Sequence, residues 1–124
     1  MVGQQLYQEL LYEEYLEKWE NKMYYIYMLR CKDDSIYTGI TTDLDRRMKE
    51  HFGAGEKSAK YTRRHVALKL EAAWQTENKA LASKLEYWIK QLSKAQKEIL
   101  IKDDTRMDSI MGDRIDVKKY SKKC

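Results

Sequence analysis

The sequence lacks several features that would place it in other protein classes. It has no run of 18 apolar residues, so no membrane span is predicted. It shows no basic-then-apolar secretory signal at its N-terminus, so we expect the protein in the cytoplasm. Its two cysteines, Cys31 and Cys124, have neither the CxxC nor the Cys/His spacing of zinc sites. In a reducing compartment both are expected to be free thiols.

The charge of the chain is unevenly distributed. The 124 residues carry a net charge of +4, with 43% hydrophobic and 35% charged residues, which suits one domain with a modest core. Residues 1–22 hold two Lys/Arg and five Asp/Glu, a balance of −3, whereas residues 23–124 have a balance of +7. A positive charge over residues 23–124 suits binding of a polyanion such as nucleic acid, although a basic solvated surface explains the charge equally well.

The first segment, residues 4–20, has the spacing of an amphipathic helix. Its apolar residues recur at helical intervals with glutamates between them: Leu6, Leu10, Leu11, Tyr15 and Trp19. We expect this helix to pack on the domain. Self-association or binding of a protein partner through it is the alternative.

The rest of the chain alternates strand and helix patterns. Residues 23–31 and 36–41 are rich in aromatic and β-branched types and flank a turn at 32–35, so they predict a hairpin. A helix is predicted at 43–52, capped by Thr42 or Asp43, and a third strand at 66–75. Further helices are predicted at 77–90 and 94–102, the second opened by a capping box of Ser93 and Gln96.

These elements indicate an α+β domain with a small, mainly antiparallel sheet. We divide the chain into an N-terminal helical extension (1–22), a domain (23–102) and a polar C-terminal tail (103–124). A short helix near 105–111 is compatible with the pattern, and the lysines at the end indicate a solvated tail.

The residues that could take part in catalysis form an ordered series along the chain. Two tripeptides, Tyr25-Ile26-Tyr27 and Tyr37-Thr38-Gly39, flank the hairpin turn, and Arg47, His51 and Glu86 follow on predicted helices. His51 lies four residues after Arg47, on the same helical face. Tyrosine, arginine, histidine and carboxylate are the groups needed to cut a phosphodiester with one divalent metal.

The series resembles the GIY-YIG nuclease superfamily, and most of all its small single-domain bacterial (YhbQ-like) members. The likeness runs from Tyr25 through His51, continues in Ala59-Lys60-Tyr61-Thr62-Arg63 and Lys84-Leu85-Glu86, and ends in the segment 92–98. It covers residues 23–101. The resemblance implies a three-stranded antiparallel sheet flanked by helices, and a divalent-metal-dependent endonuclease acting on DNA in repair or recombination.

The resemblance also implies roles for single residues. Glu86 would hold Mg²⁺ or Mn²⁺, Arg47 would bind the scissile phosphate, and Tyr27 or Tyr37 would take a proton from the attacking water, with Tyr27 favoured by analogy. His51 would share that proton or contact phosphate. Gly39 would leave backbone room beside the site.

A basic segment after the first helix is a candidate path for the DNA strand. Its cationic and aromatic side chains suit phosphates and bases: Lys57, Lys60, Tyr61, Arg63 and Arg64. An ordinary loop explains the same residues equally well.

The sequence also departs from the family pattern. The first motif begins with Tyr25 in place of glycine, and Thr38 stands in place of isoleucine. Where many active relatives have an asparagine, this chain has Lys97-Glu98-Ile99. A nucleic-acid-binding or adaptor protein that keeps the fold without the activity is therefore the alternative function, and a purely structural partner protein is a third.

Overall fold

The computed structural model describes residues 22–53 and 65–124, which form an antiparallel sheet with helices on both faces. The strands are β1 (Tyr24–Cys31), β2 (Ile36–Thr41), β3 (Ala67–Thr76) and β4 (Ser121–Lys122), in the order β2-β1-β3-β4. The helices are α1 (Leu44–Phe52), α2 (Lys79–Gln91), α3 (Lys94–Lys102) and α4 (Met107–Met111). The α+β class is confirmed, and β4 is a fourth strand that the three-stranded expectation did not include.

The hairpin between β1 and β2 forms where the turn residues predict it. Asp33 accepts a hydrogen bond from the Ser35 backbone N–H at 3.1 Å, and Asp34 adopts a positive φ of 69°. Aspartate tolerates this left-handed conformation better than most residues do. The turn sets the register in which Tyr27 pairs with Gly39 and Leu29 pairs with Tyr37.

Alternation along β1 divides the apolar residues between the two faces of the sheet. Ile26 and Met28 belong to the larger cluster, which includes Trp74 of β3. Tyr27 and Leu29 point to the opposite face, hereafter the Tyr27 face. Tyr37 shares this face with Tyr27 because its cross-strand partner, Leu29, lies on it.

Helix α1 packs on the Tyr27 face. Asp43 caps it by accepting a hydrogen bond from the Arg46 backbone N–H at 3.1 Å, so Asp43 is the cap among the two predicted candidates. Leu44 and Met48 pack against Tyr27 and Leu29, and the helix ends at Gly53. This packing turns Arg47 and His51 toward the sheet.

Helices α2 and α3 pack on the other face. Asn78 caps α2, and Ser93 and Gln96 form the predicted capping box of α3. Leu85 and Ile89 of α2 are fully buried in the cluster of Ile26 and Met28.

The prediction of a polar tail at 103–124 is wrong for most of that segment. A 3-10 turn (Asp104–Arg106), α4, a second 3-10 turn (Val117–Lys119) and β4 follow one another. Four side chains of this segment are buried in the larger cluster: Met107, Met111, Ile115 and Tyr120. The Tyr120 hydroxyl donates a hydrogen bond to the Leu81 carbonyl at 2.7 Å. Burial of these spaced apolar residues outweighs the polar composition between them.

Two expectations lie outside the described residues: the amphipathic helix at 4–20 and the basic segment with Lys57, Lys60, Tyr61, Arg63 and Arg64. Within residues 22–53 and 65–124, no helix has the length and apolar character to cross a membrane.

Candidate active site

Tyr27, Tyr37, Gly39, Arg47 and His51 meet on the Tyr27 face. The ring centroids of Tyr27 and Tyr37 are 6.0 Å apart, and the His51 ring lies 5.4 Å from the first and 5.2 Å from the second. Three elements therefore supply one cluster: β1, β2 and α1. The structure brings together five of the six core residues that the motifs named.

The Tyr27 hydroxyl is held between two side chains of α1. Arg47 donates a hydrogen bond from Nε at 3.2 Å, and His51 Nε2 lies 2.8 Å away. Because arginine only donates, the phenol oxygen accepts from Arg47 and its own proton is available to His51. We infer that Nε2 is the acceptor and that the neutral imidazole carries its proton on Nδ1.

Burial controls the protonation of this pair. It raises the pKa of Tyr27, and the neighbouring Tyr37 raises it further, while Arg47 lowers it by a smaller amount. Burial, together with the charge of Arg47, lowers the pKa of His51 to about 4, although Glu50 opposes this shift. At neutral pH the phenol is therefore protonated and the imidazole is neutral. The positive charge of Arg47 lowers the pKa of Tyr27, but this effect does not outweigh burial.

Gly39 leaves the space that the Tyr27 hydroxyl occupies. A Cβ atom at this position would lie 2.6 Å from the hydroxyl oxygen and 3.1 Å from a ring carbon of Tyr37. The absent side chain lets both tyrosines approach the backbone of β2, as the motif predicts.

Glu50 is a site residue that the motif reading missed. Its Oε2 accepts a hydrogen bond from Arg47 Nη1 at 2.7 Å. Burial lowers the pKa of Arg47, but hydrogen bonds with Tyr27, Glu50 and Tyr37 outweigh this effect and raise it overall. The sequence could have indicated this ion pair, because Glu50 follows Arg47 by three residues and such residues are neighbours on a helix.

Glu86 lies on α2, across the sheet from this cluster. Its side chain is 24% exposed and pairs with Lys90, with 3.4 Å between Oε2 and Nζ. It sits about 40° around the helix from the buried Ala82, on the flank of the packed face. Helix α2 contacts β2, an edge strand of the described sheet, and also β1 and β3. Among the described residues, no hydrogen bond or ion pair joins Glu86 to Tyr27 or Arg47.

The described residues contain no group of three or more His, Cys, Asp or Glu side chains arranged to hold a metal. A partly exposed carboxylate such as Glu86 fits a hard cation that takes its other ligands from water and substrate phosphate. The donor set therefore fits this open kind of site and not a closed protein cage.

Glu98, in the segment 97–99 where the sequence departs from the family pattern, is joined to β1 through Arg30. It accepts hydrogen bonds from both Arg30 Nη atoms, the one from Nη1 at 2.8 Å, and Arg30 also contacts Glu71 at 3.2 Å. Hydrogen bonding to Arg30 lowers the pKa of Glu98. In this chain the position joins α3 to the sheet.

The model of the GIY-YIG catalytic domain matches residues 23–99. The chain belongs to the GIY-YIG family. The matched region contains the cluster on the Tyr27 face and Glu86, and it ends before α4 and β4.

Members of the UPF0213 group, which include YhbQ, are relatives of this GIY-YIG protein. The UPF0213 protein BH0048 of Halalkalibacterium halodurans is 49% identical over 78 residues, covering 63% of this chain and 81% of the relative. The UPF0213 protein FN1575 of Fusobacterium nucleatum is 42% identical over 96 residues, covering 77% and 91%. YhbQ of Salmonella arizonae is 41% identical over 89 residues, covering 72% and 87%.

A solved structure also matches the chain. The solution NMR structure of the UPF0213 protein BH0048 from Bacillus halodurans is 46% identical in sequence and has a TM-score of 0.43. The match covers 64% of this chain and 83% of that chain.

Proposed function

We propose that this GIY-YIG domain is a DNA endonuclease that hydrolyses phosphodiester bonds with the help of one divalent cation. The observation that carries the proposal is the Tyr27 hydroxyl, buried and held between His51 Nε2 at 2.8 Å and Arg47 Nε at 3.2 Å. A buried phenol in contact with a neutral base and a cation suits proton transfer beside a phosphate.

Proton transfer would run from water through Tyr27 to His51. The raised pKa of Tyr27 disfavours a resting phenolate, so the phenol acts as a relay. As the water oxygen bonds to phosphorus and the P–O bond to the leaving group breaks, the water proton passes to the phenol oxygen. The phenol proton passes at the same time to His51 Nε2, and Tyr37 helps to orient the two rings.

Arg47 would bind the scissile phosphate and raise the basicity of His51 as it does so. Its positive charge is one cause of the low pKa of His51. A phosphate beside the guanidinium offsets that charge and makes the imidazole a stronger base when substrate is bound. Glu50 would keep the guanidinium in place in the absence of DNA.

Glu86 would hold Mg²⁺ or Mn²⁺ from the edge of the sheet. A path from α2 to the Tyr27 face would run around the edge strand β2, which α2 contacts. When bound, the cation supplies charge stabilisation at the phosphate and the leaving oxygen.

The DNA-binding surface would include the basic segment with Lys57, Lys60, Tyr61, Arg63 and Arg64 in addition to Arg47. A small domain has few elements for reading bases, so we propose selection of a DNA structure, as in repair or recombination, over selection of a sequence.

The test is cleavage of labelled flaps, junctions and single strands with Mn²⁺ or Mg²⁺. Wild type should cut at least one of these, and Glu86→Gln should reduce cleavage by about 100-fold or more while DNA binding is kept. Glu77→Gln is the matched control, since it removes a carboxylate that precedes the same helix, and it should cut as wild type does. Equal activity of Glu86→Gln and wild type would exclude the assigned metal ligand.

An adaptor that binds nucleic acid without cutting it is the second candidate. The ion pairs of Glu86 with Lys90 and of Glu98 with Arg30 favour it, because both acids already have cationic partners. DNA retention by wild type without cleavage of any substrate in either metal would support the adaptor and contradict the nuclease.

A further inference from the structure

A cleft of about 570 Å³ opens beside the cluster, at the beginning of α1. Three cationic side chains and one phenol line it: Lys22, Arg46, Lys123 and Tyr25. Leu44 connects the cleft to the site, because it lines the cleft and also packs against Tyr27 and its neighbours.

The cleft lies on the Tyr27 face. Tyr25 is two residues before Tyr27 on β1, and alternation directs both side chains to the same face, ~7 Å apart along the strand. A strand of DNA bound at Arg47 would therefore extend over this cleft within a short distance.

Lys123 reaches this face from the C-terminal strand. Lys122 pairs across the strands with Trp74, which belongs to the larger cluster on the opposite face. On that face Lys122 Nζ lies 3.6 Å from Asp104 Oδ1. The next residue, Lys123, points the other way, and its backbone N–H donates to the Ala73 carbonyl at 2.7 Å. The segment outside the family match thus adds a cation beside the candidate active site.

The charges in the cleft favour an anion. Among the described residues, two carboxylates line the cleft, Asp43 and Asp45, and Asp43 caps α1 and lies 3.9 Å from Arg46. Within residues 22–53 and 65–124, Lys123 has no carboxylate partner. Lys123 is therefore available to a phosphate.

We propose that this cleft binds the DNA backbone next to the scissile phosphate, with Lys123 contacting a phosphate and the Tyr25 ring packing on the adjoining sugar or base. The proposal rests on the proposed function, since it extends the same DNA path. Aromatic faces and cations together suit single-stranded DNA of any sequence.

The first test compares Lys123→Ala with Lys122→Ala, two variants that remove the same charge from adjacent residues on opposite faces. Binding of a labelled single-stranded oligonucleotide is measured by fluorescence anisotropy in EDTA over a range of salt concentrations. Lys123→Ala should weaken binding about three- to tenfold and reduce the slope of log K against log salt by about one, while Lys122→Ala stays within about twofold of wild type. Thermal unfolding followed by circular dichroism confirms that both variants are folded.

The second test locates the contact. Phosphates flanking the cut are replaced one at a time by uncharged methylphosphonates. At one flanking position the replacement should weaken binding by wild type but not by Lys123→Ala. If the loss of binding caused by the replacement and the loss caused by Lys123→Ala add together at every flanking position, the proposal is wrong.

Failure of this inference is distinguishable from failure of the proposed function. If wild type binds and cuts DNA but Lys123→Ala behaves as Lys122→Ala does, the cleft contact is wrong and the nuclease proposal stands. If the acidic segment at 1–21 fills the cleft, Lys123→Ala should leave DNA binding unchanged or tighten it, which also overturns the contact. Wild type that neither binds nor cuts DNA contradicts the proposed function itself.

Discussion

His51 Nε2 lies 2.8 Å from the Tyr27 hydroxyl, and both groups are buried, although they come from a helix and a strand 24 residues apart. The contact joins the first half of the hairpin to the end of α1. It also connects the low pKa of His51 to the chemistry proposed for Tyr27.

Tyr27→Phe should remove the relay while keeping the ring. We expect the cleavage rate to fall by about 100-fold or more, because proton transfer by a positioned group contributes on that scale. The free energy of unfolding should fall by about 1–3 kcal/mol, since His51 loses a buried hydrogen-bond partner. Single-turnover cleavage and urea denaturation measure the two effects. The exposed Tyr87→Phe is the control, and equal rates for the two variants would exclude a role for the Tyr27 hydroxyl.

Stability should depend on pH through His51. Its pKa is about 4 in the folded chain against 6.5 for the ordinary side chain, so protonation favours the unfolded chain. The contribution is fully present above about pH 6.5 and is lost as the pH falls toward 4, with a total on the order of 3 kcal/mol. Urea denaturation of wild type and His51→Gln across this range isolates the effect. Parallel pH curves for the two proteins would show that His51 does not titrate in this way.

Gly39→Ala should disturb Tyr27 through a direct clash. The added Cβ would lie 2.6 Å from the hydroxyl, and we expect a loss of about 1–3 kcal/mol in stability. In the Tyr27→Phe background the contact with ring atom Cζ at 2.8 Å remains but the contact with the hydroxyl is lost, so the same substitution should cost less. A double-mutant cycle by urea denaturation measures the difference, and an equal cost in both backgrounds would argue against the clash with the hydroxyl.

Arg30→Leu should destabilise the fold from the other side of the sheet. Arg30 is 14% exposed, and its removal leaves the equally shielded Glu71 with Lys69 as its remaining partner. We expect a loss of about 2–4 kcal/mol in the free energy of unfolding. Lys94→Ala breaks an exposed pair with Asp34 and should cost much less than Arg30→Leu. Similar costs for the two variants would contradict a structural role for the Arg30 network.

The sequence predicted the elements whose signals are local. The turn at Asp33–Ser35, the Asp43 cap and the capping box of Ser93 and Gln96 each depend on residues a few positions apart, and all three form. The helical spacing of Arg47 and His51 also placed both side chains on the face that meets Tyr27.

The features that the sequence did not predict depend on contacts between distant residues. Met111 and Ile115 lie in a segment with many polar residues, and their burial arises only when the segment packs on α2 and β3. The pairing of Arg30 with Glu98 joins residues 68 positions apart. No periodic pattern along the chain encodes such a contact.

The short strand β4 hydrogen-bonds to the outer edge of β3, beyond the last residue that the family match includes. A chain cut at residue 99 would expose the backbone groups of that edge and the apolar surface now under Met107 and Tyr120. Uncovered strand edges invite pairing between molecules, so the shortened protein would be prone to aggregation. The C-terminal residues are thus part of the smallest unit in which this strand edge is covered.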